Sequence, residues 1–326
     1  MIVVTGALGF IGSVIVKMLN DMGESDILIV DRFRDSGKWL NVRGLKFKDQ
    51  MTPEQFMKVA DYQAGSGKYK AIYHMGACSA TTEQNMDFLY ENNVRFSRQL
   101  FDICSQYNIP ICYASSAATY GDGENGYDDD HQKVSSLRPL NPYGYSKQLF
   151  DQWVLEKDHF PQYWYGVKFF NVYGPNEYHK GRMSSVVYQS YNQIRQNGVV
   201  KLFKSYKDGY QDGQQLRDFV YVKDVVRAML QLIAQKAPCG IYNLGSGRAR
   251  SFYDLVDATY KAMGEKTNIE FIEMPNDLRQ QYQYYTQAKM DKLARALPDF
   301  KFHTLEDGVK DYVQNHLMQK SQHLES

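Results

Sequence analysis

Short apolar runs alternate with amphipathic stretches through the first half of the chain. Ile2-Val3-Val4-Thr5, Ile27-Leu28-Ile29-Val30, Ala71-Ile72-Tyr73-His74 and residues 109–113 are apolar and rich in β-branched side chains, which predicts short buried strands. Between them, residues 13–22 and 83–107 read with helical periodicity, and Pro142 opens another helix through Tyr143-Gly144-Tyr145-Ser146-Lys147. Alternation of strand and helix predicts a parallel sheet covered on both faces. The pattern breaks after a strand over 166–171, as it does where a substrate-binding portion is inserted. Residues 217–225 and the strand 241–244 are expected to return to the first sheet. A helix near 252–263, a strand near 269–273 and a terminal helix near 305–316 complete the chain. There is no internal repeat and no low-complexity linker, so a second domain should interleave with the first. The expected division is 1–172 with 215–247 against 173–214 with 248–326.

Composition narrows the function more than the fold. The 326 residues suffice for one large α/β domain with an appendage, or for two domains with a sizeable core. Net charge is +1 without a basic block, which makes nucleic acid and membrane poor partners. Cys78, Cys104, Cys112 and Cys239 are scattered without a Cys-x-x-Cys pair, as expected of reduced thiols in a cytoplasm. His74 and Cys78 lie four apart, but two ligands do not make a zinc site, so no metal is expected and His74 reads as a packed strand residue. No apolar run reaches about 18 residues, and the first strand starts at residue 2, so a soluble cytoplasmic protein is expected. The 26 tyrosines either line a polar ligand cleft or simply pack.

Candidate chemistry begins at Gly6-Ala7-Leu8-Gly9-Phe10-Ile11-Gly12, wedged between a strand and a helix. Glycines there allow a tight turn, close approach of backbone to a pyrophosphate and close packing of helix on strand. The spacing is G-x-x-G-x-x-G rather than the G-x-G-x-x-G of many dehydrogenases. Asp31 ends the next strand in the window where an acid meets the adenosine ribose, while Arg32 and Lys38 either pair with a 2′-phosphate, favouring NADP over NAD, or are solvated loop charges. Met75, Gly76, Ala77, Cys78 and Ser79 are mostly small residues at a strand's carboxyl end, where a cofactor passes in such folds. One of Asn92 and Asn93 is expected to reach that cofactor and the other to be solvated. Ser115-Ser116 place hydroxyls at the sheet rim, for a reacting oxygen or for turn chemistry. Asp128-Asp129-Asp130 read as surface loop. Tyr143 and Lys147 sit one helical turn apart, facing the same way. A phenol needs its pKa lowered by about three units, roughly 4 kcal/mol, to take an alcohol's proton at neutral pH, and Lys147 is placed to help. The expected fold is α/β, a Rossmann-type doubly wound parallel sheet binding NADP, with a smaller interleaved α/β substrate domain.

Gly6-x-x-Gly9-x-x-Gly12, Asp31, Ser115-Ser116, Tyr143-x-x-x-Lys147 and Phe170-Asn171-Val172-Tyr173-Gly174-Pro175 together resemble the extended short-chain dehydrogenase/reductases that act on nucleotide sugars. Residues 74–79, 113–121, His179-Lys180-Gly181, 217–222 and Tyr282-Gln283-x-x-Thr286-Gln287-Ala288 resemble, more narrowly, the ADP-L-glycero-D-manno-heptose 6-epimerase family. The resemblance implies NADP, with NAD as the alternative. The implied reaction oxidises C6 of the heptose of ADP-D-glycero-D-manno-heptose to a ketone and returns hydride to the opposite face, for lipopolysaccharide core precursors. Tyr143, Lys147 and Ser116 would serve one face and Lys180 would be the proton donor on the other. By the same resemblance Gly6, Gly9, Phe10, Ile11, Gly12, Asn92, Val172 and Lys180 border the cofactor. Ser116, Asn171, Arg182, Gln189, Phe203, Arg217 and Tyr282 contact the ADP-heptose, and the chain forms a homo-oligomer, a homopentamer. Arg182 stands where the family commonly has a small hydroxyl residue, Gln189 where it has histidine, and the loop 204–215 is longer than expected. Those departures bear on the diphosphate and adenosine contacts, not on the redox centre. The rivals are another nucleotide-sugar epimerase or reductase of the superfamily, or a non-catalytic nucleotide-binding protein.

Overall fold

Strands buried on both faces can be apolar throughout, and the first half of the chain supplies several. In the computed structural model, which describes residues 1–34, 37–279 and 282–325, β1 (Ile2–Thr5) runs through the glycine turn into α1 (Phe10–Asp21), followed by β2 (Ile27–Val30) and β3 (Asp49–Met51). Helix α2 (Pro53–Gly65) leads to β4 (Ala71–His74), and α3 (Met86–Leu89) continues through a π turn over Tyr90–Arg95 into α4 (Phe96–Gln106). Next come β5 (Ile111–Ser116), α5 (Pro142–Leu155), β6 (Trp164–Phe169) and β7 (Asn171–Tyr173). The second half holds α6 (Val186–Asn197), β8 (Val200–Phe203), β9 (Leu216–Tyr221), α7 (Val222–Ala234) and β10 (Gly240–Leu244). It ends with β11 (Ala249–Ser251), α8 (Phe252–Met263), β12 (Ile269–Ile272), α9 (Asn276–Arg279), α10 (Asp291–Ala296) and α11 (Leu305–Tyr312).

Seven strands form one parallel sheet in the order β10-β6-β5-β4-β1-β2-β3. The chain runs outward from β1 to β3 and then crosses back to β4, so the order reverses between β1 and β4. A crevice opens there at the carboxyl ends of the strands, the place where such sheets take nucleotides. This is the doubly wound α/β architecture expected from the sequence.

The structure differs from the sequence expectations in four places. Residues 71–74 are the fourth strand, because Asp49-Gln50-Met51 adds an edge strand too short and polar to show as an apolar run. Residues 217–225 do not return to the main sheet: β9 sits between β11 and β7 in a separate three-stranded sheet, and Phe219, Val220 and Tyr221 of β9 join the following α7 in packing on the large core. The expected strand 166–171 is divided at Phe170 between β6 of the large sheet and β7 of the small one. Asp129 is not a surface residue, for it is buried and its Oδ2 accepts the Asn243 N–H at 2.7 Å, tying the acidic loop to β10. A further two-stranded sheet pairs β8 with β12, packed against α6 and α8 around Val200, Leu202, Val256 and Tyr260. No helix among the described residues is long and apolar enough to cross a membrane.

One face of the large sheet is sealed by aromatic packing. Phe101 of α4, fully buried, meets Tyr113, Phe150, Trp153 and Trp164 edge-on at 6.0–6.3 Å between ring centroids, which pins α4 and α5 over β5 and β6. Replacing Phe101 by alanine is expected to lower the unfolding free energy by about 3–5 kcal/mol in denaturant titration, and a loss under about 1 kcal/mol would show that the cluster does not hold these helices.

Candidate active site

The glycine turn is fixed by what surrounds it. Gly6 has φ +65°, and a Cβ there would lie 2.7 Å from the Gly76 nitrogen, while one on Gly12 would lie 2.2 Å from the Gly6 carbonyl oxygen. No other residue lets the turn pack against the β4 exit and under α1 at these distances. Gly9 caps α1 with no side-chain hydrogen bond, and the helix has no acidic residue in its first turn. Its leading N–H groups therefore face the crevice without a protein acceptor from a cap or a first-turn acid, an arrangement that fits a pyrophosphate. Asp31 closes the cradle, its carboxylate accepting from the N–H groups of Leu8 at 3.0 Å and Arg32 at 2.7 Å. The Arg32 guanidinium pairs with Glu54 of α2, and Lys38 opens a 3-10 turn over Lys38–Val42.

On the other side of the switch, Met75 and Gly76 bond back to Thr5, through its carbonyl at 3.2 Å and its hydroxyl at 3.0 Å. His74 is committed to packing: its two ring nitrogens meet the hydroxyls of Thr5 at 2.7 Å and Ser97 at 2.8 Å, and burial pushes its pKa down to about 3. Asn93 is buried, not solvated. It brackets the Cys78 peptide with bonds of 2.8 and 3.0 Å and donates to Ser146 Oγ at 3.1 Å, joining the 75–79 segment to α5. Asn92, half-buried, donates to the Asn93 side chain at 3.0 Å. The π turn carries both residues, and no periodicity in the sequence marks it.

Tyr143, Lys147 and Ser116 meet where α5 docks on the end of β5. Asn141 caps the helix by accepting from the Gly144 N–H at 2.8 Å, with Pro142 next. Gly144 lets the helix start close, since a Cβ there would sit 2.7 Å from the Ala118 carbonyl oxygen. Tyr143 is thereby buried beside Ser116, whose hydroxyl pulls the phenol's pKa down while burial, the larger effect, pushes it up. Lys147, 4% exposed, gives its ammonium to the Ala114 carbonyl at 2.9 Å, and burial lowers its pKa to about 8. The protein groups around Tyr143 therefore leave the phenol above its ordinary pKa.

Lys180 lies in a 3-10 turn over Tyr178–Met183, with its Nζ 5.2 Å from the centre of the Phe10 ring at the start of α1. No carboxylate among the described residues is within ion-pairing distance of it. Burial lowers its pKa and the nearby Glu177 partly offsets this. Gln189, expected on the substrate, instead holds that turn, donating to the carbonyls of Arg182 at 3.1 Å and Ser184 at 3.0 Å. The Arg182 side chain is exposed. Arg217, buried in β9, donates to the carbonyls of Leu216 and Gln283 and lies 5.6 Å from the Phe252 ring and 5.3 Å from the Tyr282 ring, without an ion-pair partner among the described residues. A buried, unpaired guanidinium between two aromatic faces is suited to an anion. Asn171 is exposed at the start of β7, Val172 half-buried beside it, and Phe203 half-buried at the end of β8. Sequence reasoning missed Asp151, Lys168 and Thr119, which tie α5, β6 and the Ser116 turn together from beneath. The one signal was Asp151, a further four residues along the Tyr143–Lys147 stripe.

The profile of the NAD dependent epimerase/dehydratase family matches residues 2–245. A Fusobacterium nucleatum protein named ADP-L-glycero-D-manno-heptose-6-epimerase is 50% identical over 332 residues, covering 99% of this chain and 100% of that one. The crystal structure of a Helicobacter pylori ADP-L-glycero-D-manno-heptose-6-epimerase is similar at a TM-score of 0.81 and 28% identity, covering 96% of this chain and 95% of that one. MoeE5 in complex with UDP-glucuronic acid and NAD is similar at a TM-score of 0.72 and 25% identity, covering 96% and 99%.

The burial of Lys147 carries a stability signature. Below about pH 8 the amine is protonated in both folded and unfolded chains, and the fold bears the full cost of burying it. From there to the unfolded value of 10.5 the unfolded chain binds more protons, so this cost is relieved as pH rises. Lys147→Met is expected to gain up to about 3 kcal/mol near neutral pH, offset in part by the orphaned Ala114 carbonyl. That advantage should shrink steadily up to about pH 10.5 in denaturant titrations, and a difference independent of pH would refute the assignment.

Proposed function

Because the chain belongs to the NAD dependent epimerase/dehydratase family and, within it, to the ADP-L-glycero-D-manno-heptose-6-epimerases, we infer that it inverts C6 of the heptose of ADP-D-glycero-D-manno-heptose. It is an epimerase with a nicotinamide cofactor. When bound, that cofactor supplies reversible two-electron oxidation of the alcohol carbon and a positive charge near the phenol, which lowers its pKa. Gly6, Gly9 and Gly12 with the N-terminus of α1 would hold its pyrophosphate, and Asp31 its ribose. Met75 to Ser79, Asn92 and Val172 would border the rest. The nucleotide-binding part is 1–172 with 215–247, and 173–214 with 248–326 closes the substrate side.

Inversion asks for a proton acceptor and donor on both faces of a transient ketone. Tyr143 serves one face, with Ser116 beside the same oxygen and Lys147 fixing the local charge. Lys180 serves the other. The observation that carries this is the ammonium of Lys180, held by its turn over Phe10 without an ion-pair partner among the described residues and with its pKa brought down by burial. A lysine kept only for charge has no need of desolvation, whereas one that exchanges protons does. Arg217, between Phe252 and Tyr282, takes the diphosphate, and Ser116, Asn171, Phe203 and Tyr282 line the remaining contacts, with Arg182 at the rim.

The cofactor is NADP. Asp31 accepts one backbone N–H on each carboxylate oxygen and keeps capacity for a ribose hydroxyl, while Arg32 and Lys38 bring two cations to the same edge for a 2′-phosphate. Glu54 competes for Arg32. Arg32→Ala is expected to weaken NADP binding about tenfold in calorimetry and leave NAD within about twofold, whereas equal losses for both would return the preference to NAD.

The decisive measurement is chromatographic separation of the two 6-epimers after incubation of the protein with ADP-D-glycero-D-manno-heptose. Appearance of the second epimer without net consumption of cofactor is expected, and its absence from protein that carries cofactor would sink the reading. Lys180→Met should lose turnover by about a hundredfold or more while still binding cofactor, and near-wild-type turnover would remove Lys180 from the mechanism.

A further inference from the structure

Beneath Tyr143 and Lys147 lies a charged pair that the mechanism above does not use. Asp151 and Lys168 are 0% and 1% exposed and 2.6 Å apart. The same Asp151 oxygen, Oδ2, also accepts from Ser115 Oγ at 2.6 Å, while Lys168 Nζ donates to Thr119 Oγ1 at 2.7 Å and sits 5.2 Å from the Tyr120 ring centre. Thr119 in turn donates to the Ser116 carbonyl at 2.8 Å. The network therefore joins α5 to both serines at the end of β5 and to β6.

A staple alone would not need charge. Replacing a buried ion pair by apolar residues of similar volume is often neutral or stabilising. What the charge does is set by position. Residues 143, 147 and 151 follow at four-residue spacing on one buried face of α5, so Asp151 lies one turn beyond Lys147. Lys168 engages the carboxylate at 2.6 Å, and the Lys147 ammonium has, among the described residues, the neutral Ala114 carbonyl as its hydrogen-bond partner. Lys147 thus feels a carboxylate without being sequestered by one.

We propose that the Asp151–Lys168 pair is a positioning device for the site, clamping α5 to the Ser115-Ser116 strand end and holding Lys147 as a free ammonium. This rests on the function proposed above only in taking Tyr143 and Lys147 as the working pair. The charges surrounding the ammonium support it. Asp151 favours the charged lysine and burial opposes it; Cys78 is the other titratable group that favours the charged lysine, and His74 also faces it. The remaining titratable groups that feel Asp151 besides Tyr143 are Tyr113 and Tyr120, held neutral by burial, and His131, pushed down to about 4. None of these last three changes charge near neutral pH.

The two partners act on Lys147 with opposite sign, and a merely structural role does not predict that. Asp151→Asn leaves Lys168 as an unbalanced cation, and Lys168→Met leaves Asp151 as an unbalanced anion. The titration of Lys147, followed by NMR of labelled lysine side chains in the full chain, is expected to move about one pH unit to the acid side in the first variant. It should move about as far to the alkaline side in the second, and return near the parent's midpoint in the double variant. The pH profile of epimerisation should shift in the same two directions. Lys168→Gln, with the same expectation, replaces Lys168→Met should the latter not fold. Unmoved midpoints, or displacement of both single variants in one direction, would overturn the proposal. Opposite displacements in a protein that fails to epimerise would leave it standing while removing the function.

Discussion

Burying a cation without a carboxylate against it costs several kcal/mol, and among the described residues this fold accepts that cost at Lys147 and Arg217 and, in part, at the half-buried Lys180. Lys147 rests on a backbone carbonyl, Lys180 over the ring of Phe10, and Arg217 between Phe252 and Tyr282 with two carbonyls. Burial lowers the pKa of each. Lys168, only a few residues from the site in space, is by contrast fully paired. Among the described residues these three cations keep open donors, and the architecture serves to hold them in place.

That architecture is close approach of backbone to backbone. The glycine turn touches the β4 exit, α1 lies on the turn, and the start of α5 nearly meets the carbonyl after Ser116. Each contact brings a group to the carboxyl edge of the sheet: the N-terminus of α1, the 75–79 segment and the Tyr143–Lys147 stripe. The small sheet of β11, β9 and β7 carries Arg217 on its central strand. Rigidity comes from buried polar junctions rather than from apolar packing alone. Asn93 is one such junction, and Asn41 is another, reaching Leu8, Asn176, His179 and His323 so that the glycine turn, the Lys180 turn and the end of the chain are tied together.

Much of the site could be read along the chain because its parts are local. Strand, glycine turn and helix occupy consecutive residues, and the tyrosine and lysine stand one turn apart on a single helix. What the chain order could not show involves partners far apart in sequence. Arg32, open along the chain to a 2′-phosphate, is also met by Glu54, 22 residues on, which competes for it. Gln189 looked like a substrate contact until its amide was found on the turn that carries Lys180. Asn93 and Asn92 were indistinguishable as neighbours, and only the π turn decided which one faced Cys78 and Ser146.

The sequence by itself determined the doubly wound sheet, the glycine turn and the placing of Tyr143 and Lys147 on one face of one helix, since hydrophobic period, glycine spacing and a four-residue interval are properties of adjacent positions. The tertiary structure alone decided which sheet β9 joins, which charges are paired and how Tyr143 titrates. Strand pairing and desolvation depend on what lies across space, and no local pattern encodes that Lys147 bonds to Ala114 or that Asp151, one turn on, is balanced by Lys168.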